Sequence, residues 1–363
     1  MIQPPADPST TTRGDKVLEV RDLRISVDGR SGVQYPVDGI SFDLFHGESL
    51  GLIGESGTGK SLTSLAMLGL LPRGVAVSGG SVRYRGRDLV PLQQEEYAKL
   101  RGSELSMILQ DPLTALNPMF RIGSQIQEAI RLHTPLRGAA AYRRAVELLR
   151  AVRIADAELC MRKYPHQLSG GMRQRVVGAI AIAGGPSVLV ADEATTGLDA
   201  TVQAAYLRLL RGIQRDSGLA ILFVTHDLGV VGVLCDRVAV MYAGQIVEVG
   251  STAHLIRGPL HPYTKGLLDS VPSVAGHSTR LEAIPGAPSS LDNRIDGCRF
   301  RNRCTVYTAL GEPAICRTSP DLVAFASDRQ VACHFPLPLP PSETTTPPRA
   351  AEPEPAAMNS RED

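Results

Sequence analysis

Residues 54–61, GESGTGKS, set two glycines, a lysine and a serine at the spacing G-x-x-x-x-G-K-[ST]. The chemistry of that pattern is phosphate binding. Glycines let successive backbone N–H groups turn inward around phosphate oxygens, and a helix starting at the lysine adds the positive end of its dipole. Gly54, Glu55, Ser56, Gly57, Thr58, Gly59, Lys60, Ser61 and Leu62 then form the cradle, with Lys60 on the outer phosphates and the Ser61 hydroxyl on Mg²⁺. A second group follows in PSVLVADEATTGLDA, where Asp192 and Glu193 close an apolar run. Carboxylates at the C-terminal end of a buried parallel strand stand where ligands bind in α/β sheets. Asp192 suits the Mg²⁺ shell, and Glu193 suits polarising the water that attacks a γ-phosphate. The plain alternatives are a glycine turn with a chance Lys-Ser and a solvated Asp-Glu loop start; their occurrence together weighs against both.

Between these two groups lies LSGGMRQR, residues 168–175, which resembles the signature sequence of ABC-type ATPases. Ser169, Gly170 and Gly171 open a helix whose small residues permit close approach to a phosphate. In that family the signature faces the nucleotide of a second subunit, so the resemblance implies ATP sandwiched between two copies of the domain. Three further elements fall in family order. Gln110, after LSMIL, resembles the residue that senses Mg²⁺ or water and links the site to a membrane partner; TGLD, ending at Asp199, resembles the loop that crosses the dimer; and His226, after LAILFVT, resembles the switch histidine at the γ-phosphate. Ala194 stands where the family commonly has proline. Tyr35 is the nearest candidate to stack on adenine, though its spacing differs from the usual one and a strand tyrosine is the alternative.

These residues need a scaffold. Residues 16–50 read as β-rich, 86–165 as mainly helical, and 186–250 as strand, helix, strand and a closing hairpin, DRVAVMYAGQIVEVG. The family resemblance implies an α/β fold: a RecA-like P-loop ATPase core with an antiparallel β layer and an inserted helical subdomain, plus a small Cys-rich C-terminal extension. The expected division is a polar N-terminus over 1–15, the ATPase domain over 16–270 with its helical subdomain near 86–185, a Cys-rich unit over 271–336, and a Pro-, Thr- and Glu-rich tail over 337–363. Both ends read as segments without a fold.

Composition bounds the setting. The chain has 363 residues, 43% hydrophobic and 21% charged, and a net charge of +1, which argues against a bulk electrostatic hold on nucleic acid or lipid. No continuous apolar run reaches the ~20 residues of a membrane helix. The start, MIQPPADPSTTTRGDK, has no apolar core of a secretory signal, so the chain is expected in the cytosol.

Two local sequences narrow the class. QDPLTALNPMFRIGSQIQEAI and GPLHPYTKGLLDSVP resemble the ATPases of peptide and nickel importers, whose helical subdomain docks on a permease. That resemblance implies a peripheral subunit on the cytoplasmic face of the bacterial inner membrane. It also implies a second ATPase subunit, a paralogue rather than a self-pair, two permeases and an extracytoplasmic solute-binding protein, with no nucleic-acid partner. A soluble ATPase of translation or DNA repair is the competing class, but those generally carry two cassettes or a long coiled-coil insertion.

Of the six cysteines, Cys160 and Cys235 sit among apolar residues as ordinary buried thiols. Cys298, Cys304, Cys316 and Cys333 crowd into one segment poor in long apolar runs, where a staple is expected. Disulfides are disfavoured in the cytosol, which leaves a metal centre or four unrelated thiols. Some members of the peptide-importer subfamily carry a [4Fe–4S] cluster on four C-terminal cysteines, and the resemblance implies one here; zinc, with His334 as a substitute ligand, and free thiols are the alternatives.

Overall fold

A computed structural model describes residues 14–29, 32–109, 112–271, 283–287, 295–326 and 328–339. The β-rich start forms β1 (Lys16–Gly29), β2 (Gly32–Phe45) and β3 (Ser49–Ile53), followed by α1 (Lys60–Met67), β4 (Val75–Tyr84), β5 (Arg87–Asp88) and α2 (Gln94–Leu100). The antiparallel layer is a four-stranded sheet in the order β2-β1-β4-β5.

The helical stretch begins with β6 (Leu105–Ile108) and continues through α3 (Pro112–Ala115), α4 (Ile122–His133), α5 (Gly138–Ala151), α6 (Ala157–Arg162) and α7 (Gly170–Ala181). Then come β7 (Val188–Asp192), α8 (Ala200–Ser217), β8 (Ala220–Thr225), α9 (Leu228–Leu234), β9 (Arg237–Tyr242), β10 (Gln245–Ser251), α10 (Thr252–Arg257) and α11 (Pro262–Asp269). The C-terminal stretch holds α12 (Thr305–Ala309), β11 (Val323–Ala326) and β12 (Arg329–Val331). The larger sheet runs β11-β12-β10-β9-β3-β8-β7-β6, with β3, β6, β7, β8 and β9 parallel to their neighbours in that block.

Strand alternation explains why this sheet is buried on both faces. In β7, Val188 and Val190 point into the core shared with the antiparallel layer, while Leu189 and Ala191 point into the core shared with α7 and α8. In β8, Leu222 and Val224 face the first core, and Ile221 and Phe223 the second. Near-continuous apolar strands are what a parallel sheet covered on both sides requires. The helices meet it through amphipathic faces: in α8, Tyr206, Leu207, Leu209 and Leu210 are buried while Arg208 is exposed.

β6 lies within a span whose pattern reads as mainly helical. Four apolar residues in a buried strand do not differ by periodicity from one buried turn of helix, which is why length rather than pattern separates them. The hairpin over 237–251 turns at Ala243 and Gly244, both left-handed with φ of 46° and 84°, the geometry that joins two antiparallel strands with a two-residue loop. β12 pairs with β10 through Glu248↔Val331 and Val249↔Gln330, so the segment after residue 295 extends the main sheet. No helix among the described residues is long and apolar enough to cross a membrane.

Candidate active site

β3 runs out of the core at Ile53, and the glycine loop carries the chain into α1. Gly59, the residue before the helix, has φ +100°, and a Cβ there would stand 2.4 Å from the Pro36 carbonyl. Only glycine permits that close crossing of β2 over the loop. Tyr35, the residue before Pro36, is half-buried on β2 beside the Arg24 guanidinium, 5.8 Å from its ring centroid. The adenine candidate thus sits on the strand that touches the phosphate loop.

Lys60 is 5% exposed and donates from Nζ to the Gly54 and Glu55 carbonyls, both at 2.8 Å. Burial pulls its ammonium below the usual lysine range, against which the Glu193, Asp192 and Glu55 carboxylates act. The Ser61 hydroxyl donates to Asp192 Oδ1 at 3.2 Å. Burial raises the Asp192 carboxyl, with Glu193 adding to the rise and Ser61 and Lys60 opposing it. A hydroxyl and a carboxylate meeting beside a phosphate loop fit the donor set of Mg²⁺, which takes oxygen ligands. Thr58 steadies the loop by donating to the Glu55 carbonyl at 2.9 Å, and Leu62, within α1, is half-buried against the core. Ser56 and Gly57 are exposed at the loop's tip.

Glu193 follows β7 with φ +47°, the left-handed region that is strained for a residue with a Cβ. Its N–H donates to the Val224 carbonyl of β8 at 2.8 Å, and its carbonyl accepts from Thr196 N–H at 3.0 Å, so both sides fix the strained backbone. His226 follows β8, between Thr225, whose hydroxyl accepts from Asp227 N–H at 3.0 Å, and Asp227, which caps α9 by accepting from Gly229 N–H at 2.8 Å. The result is a contact of 3.1 Å between His226 Nδ1 and Glu193 Oε1. Ala194 is fully buried, and its carbonyl accepts from the Gln174 side chain of α7.

The signature residues stand at the start of α7. Ser169 caps that helix by accepting from Met172 N–H at 3.4 Å, and no other side chain approaches a Cβ built on Gly170. At Gly171 a Cβ would stand 2.6 Å from a Val202 methyl, so the glycine lets α7 lie against the start of α8. Asp199 caps α8, accepting from Thr201 and Val202 N–H at 3.1 and 2.9 Å. Lys60, Ser61, Asp192, Glu193 and His226 are therefore brought together within this chain, whereas the hydrogen bonds of Ser169 and Asp199 stay within their own helices. Gln110 lies outside the described residues.

Cys298, Cys304, Cys316 and Cys333 are brought together too, around a void of about 20 Å³ that Phe300 and His334 also line. All four are free thiols, and burial raises each, Cys333 to about 12. Among the described residues no three His, Cys, Asp or Glu side chains are grouped to hold a metal ion, so neither the expected cluster nor its zinc alternative has a formed site here. His334 instead contacts the Thr318 carbonyl through Nε2 at 3.0 Å. Cys160 and Cys235 are buried in the main core.

Sequence reasoning passed over the layer behind the loop. Tyr242, Tyr263, Phe300 and His261 pack ring against ring, with centroids 4.6 to 5.7 Å apart, and the Tyr263 hydroxyl accepts from Glu55 N–H at 2.9 Å. Arg299 pairs with Asp38 of β2, and Arg303 with Glu55. The available signal was the basic spacing of CRFRNRC, read only for its cysteines.

A family model described as ABC transporter matches residues 37–196, and one described as oligopeptide/dipeptide transporter, C-terminal region, matches residues 247–309. The chain is 42% identical to the oligopeptide transport ATP-binding protein OppD of Salmonella typhimurium over 88% of this chain and 94% of that protein. It is 44% identical to the dipeptide transport ATP-binding protein DppD of Lactococcus lactis over 84% of this chain and 89% of that protein. Among solved structures, CbiO1 of Clostridium perfringens, part of the CbiONQ complex, superposes with a TM-score of 0.58 at 27% identity over 66% of this chain and 90% of that one. The dimeric cassette MJ0796 superposes with the same TM-score at 22% identity over 65% and 98%.

Proposed function

The chain belongs to the ABC transporter family, and from that membership we propose that it is the ATP-hydrolysing subunit of an importer for peptides or related small solutes. The observation that carries the proposal is the joining of Ser61 to Asp192 and of Glu193 to His226 beside the loop 54–61. ATP lies with its outer phosphates in the loop at Lys60, its Mg²⁺ held by Ser61, Asp192 and Gln110, and its adenine on Tyr35. Bound Mg²⁺ supplies neutralisation of charge on the β- and γ-phosphate oxygens. Glu193 accepts the proton of the attacking water, while His226 orients its carboxylate and faces the γ-phosphate. Ser169, Gly170, Gly171 and Asp199 serve across a dimer, against the nucleotide of a second ATPase subunit, here taken as a paralogue.

Two permeases and an extracytoplasmic solute-binding protein complete the complex, with this chain peripheral on the cytoplasmic face of the inner membrane and no nucleic acid involved. Met119 and Phe120, 79% and 55% exposed just before α4, support a docking surface for a permease helix. Nucleotide-driven closure of the ATPase dimer moves that surface, and hydrolysis reopens it. The match to the transporter C-terminal region weighs against a soluble ATPase of translation or repair.

The four tail thiols are read as ligands of a [4Fe–4S] cluster. Such a cluster takes each thiolate on a different iron, so its ligands need not meet at one point, and the observation that supports the reading is that all four cysteines line one void. Taking it in requires the thiols to spread from a void of about 20 Å³. Its chemistry there is a structural staple.

The test of the main reading is purification of the tagged full chain, as Glu193→Gln, from membranes in MgATP. Two integral-membrane permeases and a second ATPase are expected to come with it. Ribosomal or DNA-repair partners in their place would overturn the reading.

A further inference from the structure

Glu55 stands second in the phosphate loop, at one of the positions where the motif tolerates any residue. Its carboxylate is nevertheless held by a two-pronged contact: Arg303 Nη1 donates to Oε2 at 2.6 Å, and Nη2 donates to Oε1 at 2.9 Å. Arg303 is 6% exposed and is itself fixed, with Nε donating to the Pro285 carbonyl at 2.8 Å and its guanidinium 5.8 Å from the Tyr242 ring centroid. Hydrogen bonding to Glu55 holds its charge more firmly than usual, although burial acts the other way. The backbone of Glu55 is held from the same side by the Tyr263 hydroxyl, and its carbonyl accepts from Lys60 and Thr58. One residue of the loop is thus gripped at its side chain, its N–H and its carbonyl.

A loop rich in glycine has many conformations to lose when it binds phosphate, and a fixed second layer removes that cost in advance. A paired guanidinium and carboxylate fix orientation as well as distance. We propose that Arg303 is a positioning residue for ATP: by clamping Glu55 it holds the loop's N–H groups where the nucleotide phosphates need them, so affinity for ATP depends on the C-terminal segment. The proposal rests on the reading of residues 54–61 as the ATP site.

The test uses the full chain in its assembled transporter, comparing wild type, Arg303→Ala, Arg303→Lys, Glu55→Gln, the Arg303→Ala/Glu55→Gln double variant and Lys60→Ala. ATP hydrolysis is titrated with ATP, and binding is read with the fluorescent analogue TNP-ATP. Arg303→Ala and Glu55→Gln are each expected to raise KM and the TNP-ATP Kd by about tenfold, the order seen when a supporting residue behind a site is lost. The rise in KM exceeds any fall in kcat, the double variant is no worse than the worse single one, and Arg303→Lys recovers part of the loss. If Arg303→Ala does not fold, Glu55→Gln, which keeps shape and volume, decides the matter. KM and Kd at the wild-type value would overturn the proposal, as would a fall in kcat with KM unchanged, which marks a contact that serves only the fold, or losses that multiply in the double variant. Retained binding in Lys60→Ala would instead overturn the assignment of the ATP site itself.

Discussion

His226 Nδ1 lies 3.1 Å from Glu193 Oε1, and the two residues directly follow the ends of adjacent parallel strands, β8 and β7. A carboxylate and an imidazole that follow neighbouring strand ends are held by the sheet that fixes those ends. Glu193 pairs its strained backbone with the Val224 carbonyl, so the register of the two strands sets the aim of the carboxylate.

Glu193→Gln keeps the size and loses the base. Single-turnover hydrolysis in the assembled complex should fall by about 10²- to 10⁴-fold while TNP-ATP binding is retained. His226→Ala should fall in the same range. The double variant should be little slower than the worse single one, since the pair acts as a unit.

Gly59→Ala places a Cβ 2.4 Å from the Pro36 carbonyl at φ +100°. The backbone conformation alone costs about 1–3 kcal/mol, and the collision adds to it. Thermal unfolding should shift downward, and nucleotide binding should be lost with the loop's geometry; a wild-type melting temperature would contradict the close crossing of β2.

His261 is buried, its Nδ1 accepts from Tyr263 N–H at 3.0 Å, and burial pushes its pKa down to about 3. Near pH 6.5 and below, the unfolded chain takes up a proton that the folded chain refuses, so the stabilisation is complete above 6.5 and is lost as pH falls toward 3. Unfolding free energy measured in urea should drop by about 1.4 kcal/mol per pH unit in that window from this residue. His261→Gln should be less stable at neutral pH but should lack this part of the slope.

The four thiols give a chemical prediction. Full-length protein prepared without oxygen should contain iron and acid-labile sulfide with visible charge-transfer absorbance, and Cys304→Ser should lower all three together. Protein free of iron and sulfide would leave the thiols around the Phe300 void as plain packing.

Phosphate chemistry is legible in sequence because it prescribes residue types at fixed short spacings, which is how Lys60, Ser61, Asp192, Glu193 and His226 could be named before any coordinates. The burial of β7 and β8 on both faces was legible as unbroken apolar runs for the same local reason. Arg303 was not, since a contact with a partner 248 positions away leaves no local pattern. Nor was β6, whose four residues are shorter than the window in which strand and helix periods differ. The convergence of Cys298 with Cys333 was inferred from number and family likeness, because irregular spacing carries no geometry.

The central claim is that hydrolysis at Glu193 drives peptide import. Vesicles carrying the whole transporter, with ATP on the side this chain occupies and the solute-binding protein on the other, can be scored for uptake of a labelled oligopeptide. Wild type should accumulate peptide only with ATP, and Glu193→Gln should stop at the level seen without it. Equal uptake by wild type and Glu193→Gln would contradict the claim.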